Sequence, residues 1–171
     1  LWVRSFSRIY NPLLASDVLK SLKDEGLETK LCMIGPDNDG SLQEVKSYAE
    51  ELNLNVEFTG RLTKKEWHKK AGDFNIFINT TNIDNMPVSV IEAMALGLPV
   101  VSTNVGGMPF LIDNAIDGIL VEPNNANAFK AAIIELMVNK ESTLKMTENA
   151  RSKVEQFDWE VVKEKWISLL A

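Results

Sequence analysis

Six short apolar runs alternate with stretches of helical periodicity along this chain of 171 residues, and that alternation restricts the fold more than any single motif. Leu1-Trp2-Val3 predicts a first strand. Pro12 to about Glu25 predicts a helix, with Leu13, Leu14, Val18, Leu19 and Leu22 at helical spacing and Gly26 as its stop. Leu31 to Ile34 predict a second strand, ended by the turn Gly35-Pro36-Asp37-Asn38-Asp39-Gly40. Ser41 is expected to cap the next helix, which runs to about Leu52, with Glu44 completing a capping box. Asn55 to Gly60 read as a third strand, and Thr63 with Glu66 as a second capping box opening a short helix. Phe74 to Thr80 form a fourth strand, apolar almost throughout, as a strand covered on both faces should be. A helix is expected from about Met86 to Leu96, closed by Gly97. It is followed by a strand over Pro99 to Ser102, a short helix over Met108 to Ile112 and a sixth strand over Gly118 to Val121. From Asn127 onward the chain reads as helical, with a break near Asp158.

Strand and helix alternating in this way specify an α/β fold: a doubly wound, Rossmann-like parallel sheet of about six strands with helices on both faces. Ligands of such sheets bind beyond the carboxyl ends of the strands, here the segments after Val3, Ile34, Gly60, Thr80 and Asn104. Apolar content of 45% and charged content of 25% fit one globular domain over residues 1–171. The 18 basic and 24 acidic residues leave a net charge of −6, and the basic ones are scattered, which argues against a nucleic-acid surface. No apolar stretch reaches the ~18 residues that a membrane helix requires. The single cysteine, Cys32, excludes an internal disulfide, fits a reducing compartment and reads as a buried strand residue. Because the chain opens on a strand already under way, it is expected to be a piece of a longer protein.

Chemistry concentrates after the fourth strand. Between Asp84 and Asp113 the only formal charge is Glu92, set in the apolar run Val88 to Leu96. Asn85 is expected to serve as N-cap there, with Pro87 tolerated in the first turn. The N–H groups of Met86, Val88 and Ser89 would then face the ligand side as an anion site suited to phosphate. Flanking carboxylates at Asp84 and Glu92 would accept from the hydroxyls of a sugar or ribose. Taken alone, Asp84 reads equally as a turn residue, and Glu92 as a snorkelling side chain or the partner of a core arginine.

The segment from Asp84 to Val121 resembles the C-terminal domain of GT-B glycosyltransferases, in particular the large retaining family four. The matching residues are Asp84, Glu92-Ala93-Met94-Ala95, Leu96-Gly97-Leu98-Pro99-Val100-Val101, Gly106-Gly107 and Gly118-Ile119-Leu120-Val121. The likeness extends through "CMIGPDNDG", "VEFTGRL", "AGDFNIFI" and "FDWEVVKEKW", and so over essentially the whole chain. It implies the donor-binding half of a GT-B fold. Glu92 would bind the ribose of a nucleotide-sugar donor, Asp84 the transferred sugar, and the Val88 and Ser89 N–H groups the diphosphate. Arg4 would supply positive charge to the leaving diphosphate, and the base would lie near Gly60, Arg61 and Leu62. No cofactor is implied and no metal is expected. A missing N-terminal domain would hold the acceptor, a sugar or lipid-linked glycan, in a cytoplasmic enzyme that can work at the inner membrane face.

Three departures from the family pattern stand out. The first acidic position, usually Glu, is Asp84; Pro87 replaces a glycine; and Ile9-Tyr10 stands where a lysine and a glycine are usual, with Arg8 beside it readable either as a substitute cation or as a surface residue. His68 and its lysine-rich neighbours read as a solvated helix face, and "GPDNDG" as a turn without the glutamate of a calcium loop. The tryptophans and methionines read as core or interdomain packing. No Gly-x-Gly-x-x-Gly or P-loop is present, which argues against dinucleotide binding and NTP hydrolysis. Two rival readings remain open: a GT-B sugar-nucleotide epimerase and a non-enzymatic flavodoxin-like binding module.

Overall fold

A computed structural model describes residues 1–170. Its elements alternate as the sequence predicts: β1 (Trp2–Val3), α1 (Pro12–Asp24), β2 (Leu31–Ile34), α2 (Ser41–Glu51), β3 (Val56–Gly60), α3 (Lys64–Ala71) and β4 (Phe77–Asn79). Then come α4 (Val88–Ala95), β5 (Val100–Thr103), α5 (Met108–Leu111), β6 (Ile119–Val121), α6 (Ala126–Val138), α7 (Lys140–Glu155) and α8 (Trp159–Leu170). The six strands are all parallel but form two three-stranded sheets, β1-β2-β3 and β4-β5-β6, rather than one six-stranded ladder. The two meet along β1 and β4, where Leu1 N donates to Ile76 O at 2.8 Å and Ile78 N to Leu1 O at 2.9 Å. β1 is only two residues long, which leaves no room for a regular ladder there. The spatial order is the doubly wound one, with the chain reversing its direction of travel at the β1/β4 junction.

Period-two alternation along the buried strands sends successive side chains to opposite layers. Met33, Ile78 and Val101 join Trp2, Leu14, Val18, Val45, Phe129 and Ile133 in the core under α1, α2 and α6. Cys32, Phe77 and Val100 join Trp67, Val90, Met94, Met108 and Val154 under α3, α4, α5 and α7. Burial pushes the Cys32 thiol up to about 11, with Glu57 adding to the effect, so the cysteine is structural, as expected. α7 is anchored by Lys153, whose ammonium lies 2.7 Å from the buried Asp117 and 2.9 Å from Asp113. Trp159 and Trp166 stand exposed on α8.

Three local expectations are corrected. Ser41 does not cap α2: Gly40 precedes the helix with a positive φ of 83°, which makes Ser41 its first residue. Glu44 pairs with Arg8 instead of folding back. The first-turn donors go to the preceding turn, Gly40 N to Asp37 Oδ1 at 3.0 Å and Ser41 N to Asp39 Oδ1 at 3.2 Å. The C-terminal helical stretch breaks at Asn139 as well as near Asp158. The third correction concerns the start of α4 and belongs to the site. The capping box of Thr63 and Glu66 forms as read.

Candidate functional site

At the carboxyl edge of the sheet the strands give way to polar side chains that lock the loops to one another. Asn79 Nδ2 donates to Ser102 Oγ at 3.0 Å, and Thr103 Oγ1 to Thr81 O at 2.6 Å. The buried Thr80 hydroxyl accepts from Trp2 Nε1 at 3.0 Å and shares its proton between the carbonyls of Tyr10 and Asn11. Asn82 N donates to Ile9 O at 2.8 Å. The loop that carries Arg4 and the loop that carries Asp84 are therefore one fixed unit. The glycine pair after β5 completes it. A Cβ on Gly107 would stand 1.9 Å from Asn85 O and one on Gly106 2.2 Å from Asp84 O, while Gly107 N donates to Asp84 O at 2.7 Å. Only two residues without side chains allow this approach.

α4 begins at Val88, two residues later than expected, and its N-cap is Pro87, not Asn85. Asn85 N is already bound to its neighbour's carboxylate, Asp84 Oδ1, at 2.9 Å, so the chain is still turning at that point. Pro87 O accepts from Val90 N and Ile91 N, and no side chain caps the helix. Val88 N–H and Ser89 N–H consequently have no acceptor among the described residues. Ser89 Oγ is also enclosed and unpaired. Met86, placed ahead of the N-cap, is exposed.

Arg4, just beyond β1, forms an ion pair with Asp84 in which both side chains are largely buried, at 15% and 16% exposure. Its guanidinium lies over the Tyr10 ring, 4.0 Å from the centroid, while its Nε is buried without a partner. Gly35 backs this residue, because a Cβ there would stand 1.8 Å from Arg4 O. Arg8 points elsewhere. It sits in a short turn of 3-10 helix (Arg8–Tyr10), exposed, paired with Glu44 of α2, and its N–H donates to Asp39 at 2.9 Å. Sequence reasoning placed Arg4 and Asp84 at one site but missed their pairing and the part played by Tyr10. The tyrosine had registered only as a departure from the family glycine.

Glu92 lies on the other flank of α4, 18% exposed. Lys64 Nζ is 2.7 Å from its Oε1 and His68 Nε2 3.8 Å from its Oε2. Neither the snorkelling reading nor the core arginine holds. The expectation of a solvated His68 is also corrected: the ring is half-buried, edge-on to Trp67 at 4.5 Å, and its Nε2 is enclosed. Lys64 and His68 are four residues apart on α3, so they share one helix face, and that face meets α4. The spacing was visible in the sequence, whereas the element it faces was not. Gly60, with φ of +71°, ends β3 and accepts from Gly35 N at 2.9 Å. Arg61 is exposed and Leu62 packs on the core beneath, which brings this segment alongside Lys64 and hence Glu92.

No group of three or more His, Cys, Asp or Glu side chains among the described residues could hold a metal ion. No helix there is long and apolar enough to cross a membrane. A cavity of about 1230 Å³ opens at the opposite edge of the sheet, among Leu22, Leu31, Phe74, Ile133 and Leu136. It is mainly apolar, and none of Arg4, Asp84, Val88, Ser89 and Glu92 lines it. The helix start, arginine and carboxylates thus lie at the other edge of the sheet from this cavity.

The family model described as "Glycosyl transferases group 1" matches residues 1–153. An uncharacterized glycosyltransferase of Methanocaldococcus jannaschii is 28% identical over 158 residues, covering 91% of this chain and 44% of the relative. The UDP-Gal:alpha-D-GlcNAc-diphosphoundecaprenol alpha-1,3-galactosyltransferase of Escherichia coli is 27% identical, covering 84% of this chain and 37% of its own length. The chain thus spans less than half of these relatives. Among solved structures, HepE from Anabaena in complex with UDP and glucose superposes with a TM-score of 0.86 at 20% identity, over 99% of this chain and 47% of that one. Sucrose-phosphate synthase from Thermosynechococcus elongatus superposes with a TM-score of 0.83 at 23% identity, over 99% and 44%. At such identities the likeness establishes the fold, the Rossmann-like C-terminal domain of GT-B enzymes. With the family model covering most of its length, the chain belongs to the glycosyl transferases group 1 family.

Proposed function

We propose that residues 1–171 are the nucleotide-sugar donor domain of a retaining glycosyltransferase whose separate N-terminal domain holds the acceptor, a sugar or lipid-linked glycan. The observation that carries this reading is the start of α4, where two N–H groups and an enclosed hydroxyl have no partner. A helix N-terminus with free donors favours an anion. The diphosphate would lie there, on Val88, Ser89 and the nearby Met86 N–H, with Arg4 across from it. Glu92 would accept from the ribose, and the base would rest against Gly60, Arg61 and Leu62. Asp84 both aims Arg4 and faces the transferred sugar. Arg8 would reach the diphosphate only by leaving Glu44. The complexes of HepE with UDP and glucose support a nucleoside-diphosphate sugar as donor.

In the transfer, the bond between the anomeric carbon and the β-phosphate oxygen breaks, and its electron pair leaves with the diphosphate. The new bond forms to the acceptor hydroxyl, whose proton passes to an oxygen of the departing diphosphate. Fixed positive charge from Arg4 and the α4 N-terminus stabilises the departing diphosphate without reorganisation, so no metal is needed for binding. The isolated domain holds only half of the cleft and transfers nothing, because acceptor positioning and exclusion of water both fail. The intact enzyme would act in the cytoplasm, at the inner membrane face where the acceptor is lipid-linked.

The test is a thermal-shift panel of UDP-, GDP- and ADP-sugars on this domain, followed by anomer assignment of the intact enzyme's product. A rise in melting temperature with one nucleotide series and a retained anomer are expected. An inverted product would overturn retention. Release of free epimerised sugar nucleotide would favour the epimerase reading, and no shift with any nucleotide would overturn the donor role.

A further inference from the structure

Glu92 is the one acidic side chain of α4, and α3 presents two groups to it. Lys64 Nζ meets Oε1 at 2.7 Å from an exposed position, and a long solvated side chain of this kind neutralises charge without fixing geometry. His68 is different. Its ring is half-buried and braced edge-on by Trp67, itself in the core, and its Nε2 is enclosed with no hydrogen-bond partner. The 3.8 Å to Glu92 Oε2 is too long for a hydrogen bond, and a movement of about 1 Å would make one. A buried ring nitrogen left unpaired is costly, so its aim at one carboxylate oxygen calls for an explanation.

We propose that His68 and Lys64 are positioning residues that turn Glu92 into a reader of vicinal diols. An ionised carboxylate has about four acceptor positions. Lys64 occupies one on Oε1, and His68, after that movement of about 1 Å, takes one on Oε2. One position remains on each oxygen, at the spacing of the two hydroxyls of a ribose. The inference rests on the proposed contact of Glu92 with the donor ribose and names what gives that contact its selectivity. His68 holds the rotation of the carboxylate and Lys64 offsets its charge. The site therefore favours ribonucleoside over 2′-deoxyribonucleoside diphosphates.

Calorimetric titration of the full chain with UDP, GDP and ADP and their 2′-deoxy counterparts tests this. The readout is the ribo-over-deoxy affinity ratio for the nucleotide that binds best. In the unaltered protein the ratio should be about tenfold, the loss of one charge-assisted hydrogen bond. His68→Leu should bring it down to within about twofold of unity while deoxy affinity stays put, and Lys64→Met should lower it less. His68→Gln, which keeps a donor at similar reach, should restore it. Equal loss of ribo and deoxy affinity in His68→Leu, or an unchanged ratio, would overturn the positioning role. A ratio of unity in the unaltered protein, or no nucleotide bound at all, would instead overturn the ribose contact of Glu92, and the inference with it.

Discussion

Two helices start at the same edge of the sheet and treat their first turns in opposite ways. α2 follows a turn that carries Asp37 and Asp39, and those carboxylates accept from Gly40 N and Ser41 N. α4 follows a turn that carries Asp84, yet that carboxylate is committed to Arg4 and to Asn85 N, and Val88 and Ser89 keep their donors free. Both segments contain acidic residues close to a helix start, so composition alone does not separate them. What separates them is backbone. Gly40 lets the chain turn the Asp39 side chain onto the helix, whereas Pro87 extends the entry to α4 and Gly106-Gly107 press against its back. At α2 the turn carboxylates take the entry donors, and at α4 two donors stay open in a polar, fixed cradle.

The largest effect should come from Arg4→Met in the intact enzyme. Removing a fixed charge from where negative charge develops typically costs about 10²–10³ in kcat. It also leaves Asp84 buried and unpaired, so the melting temperature should fall; activity within tenfold of the parent would contradict the role of Arg4. Gly107→Ala comes next. Its Cβ has backbone only 1.9 Å away, so the α4 entry must shift, which costs about 1–3 kcal/mol as overpacking does, and nucleotide affinity should drop at least about tenfold. Unchanged calorimetric affinity would show that the glycine pair does not set the site.

Glu92→Gln should reduce ribonucleotide affinity about tenfold to a hundredfold while stability moves by no more than about 1 kcal/mol, because its ion-pair partner Lys64 is exposed. A sharply destabilised variant with unchanged affinity would make Glu92 a structural residue. The smallest effect should come from α2. Asp39→Ala removes the acceptor of Ser41 N and Arg8 N and should lower the melting temperature slightly without altering nucleotide affinity. The Arg8 N–H, followed by Ser41, holds the Asp39 carboxyl down to about 2. A carboxylate depressed in the fold stabilises it above the unfolded pKa of about 3.9 and loses that contribution as pH falls toward 2. The parent's stability advantage over Asp39→Ala should therefore be full at neutral pH and fade below about 4.

The strands and most helices were legible because their burial follows simple periods. Leu31 to Ile34 and the α3 capping box match the reading residue for residue. The α2 start was misread because a Ser followed three residues on by Glu looks like a capping box, and only the positive φ of Gly40 shows that Ser41 lies one position too late. Asp84 and Glu92 stand out in the sequence as two carboxylates on one loop-helix unit, and Arg4 enters only through the family resemblance. Their partners were not legible, since the Arg4–Asp84 pair spans 80 positions and Lys64 reaches Glu92 across two elements. Tyr10 beneath Arg4 was hidden for the same reason. Contacts between loops depend on how the sheet brings the loops together, and no local pattern encodes them.

If the open start of α4 receives the diphosphate, its two free amides respond first. Amide chemical-shift mapping of the ¹⁵N-labelled domain during titration with UDP, in excess chelator, tests it most directly. The Val88 and Ser89 amides should move furthest, with Arg4 and Glu92 side-chain neighbours following, while Ser41 and Leu42 at the start of α2 stay still. Shifts concentrated at α2 or in the apolar groove at the opposite edge, with Val88 and Ser89 unmoved, would contradict the account.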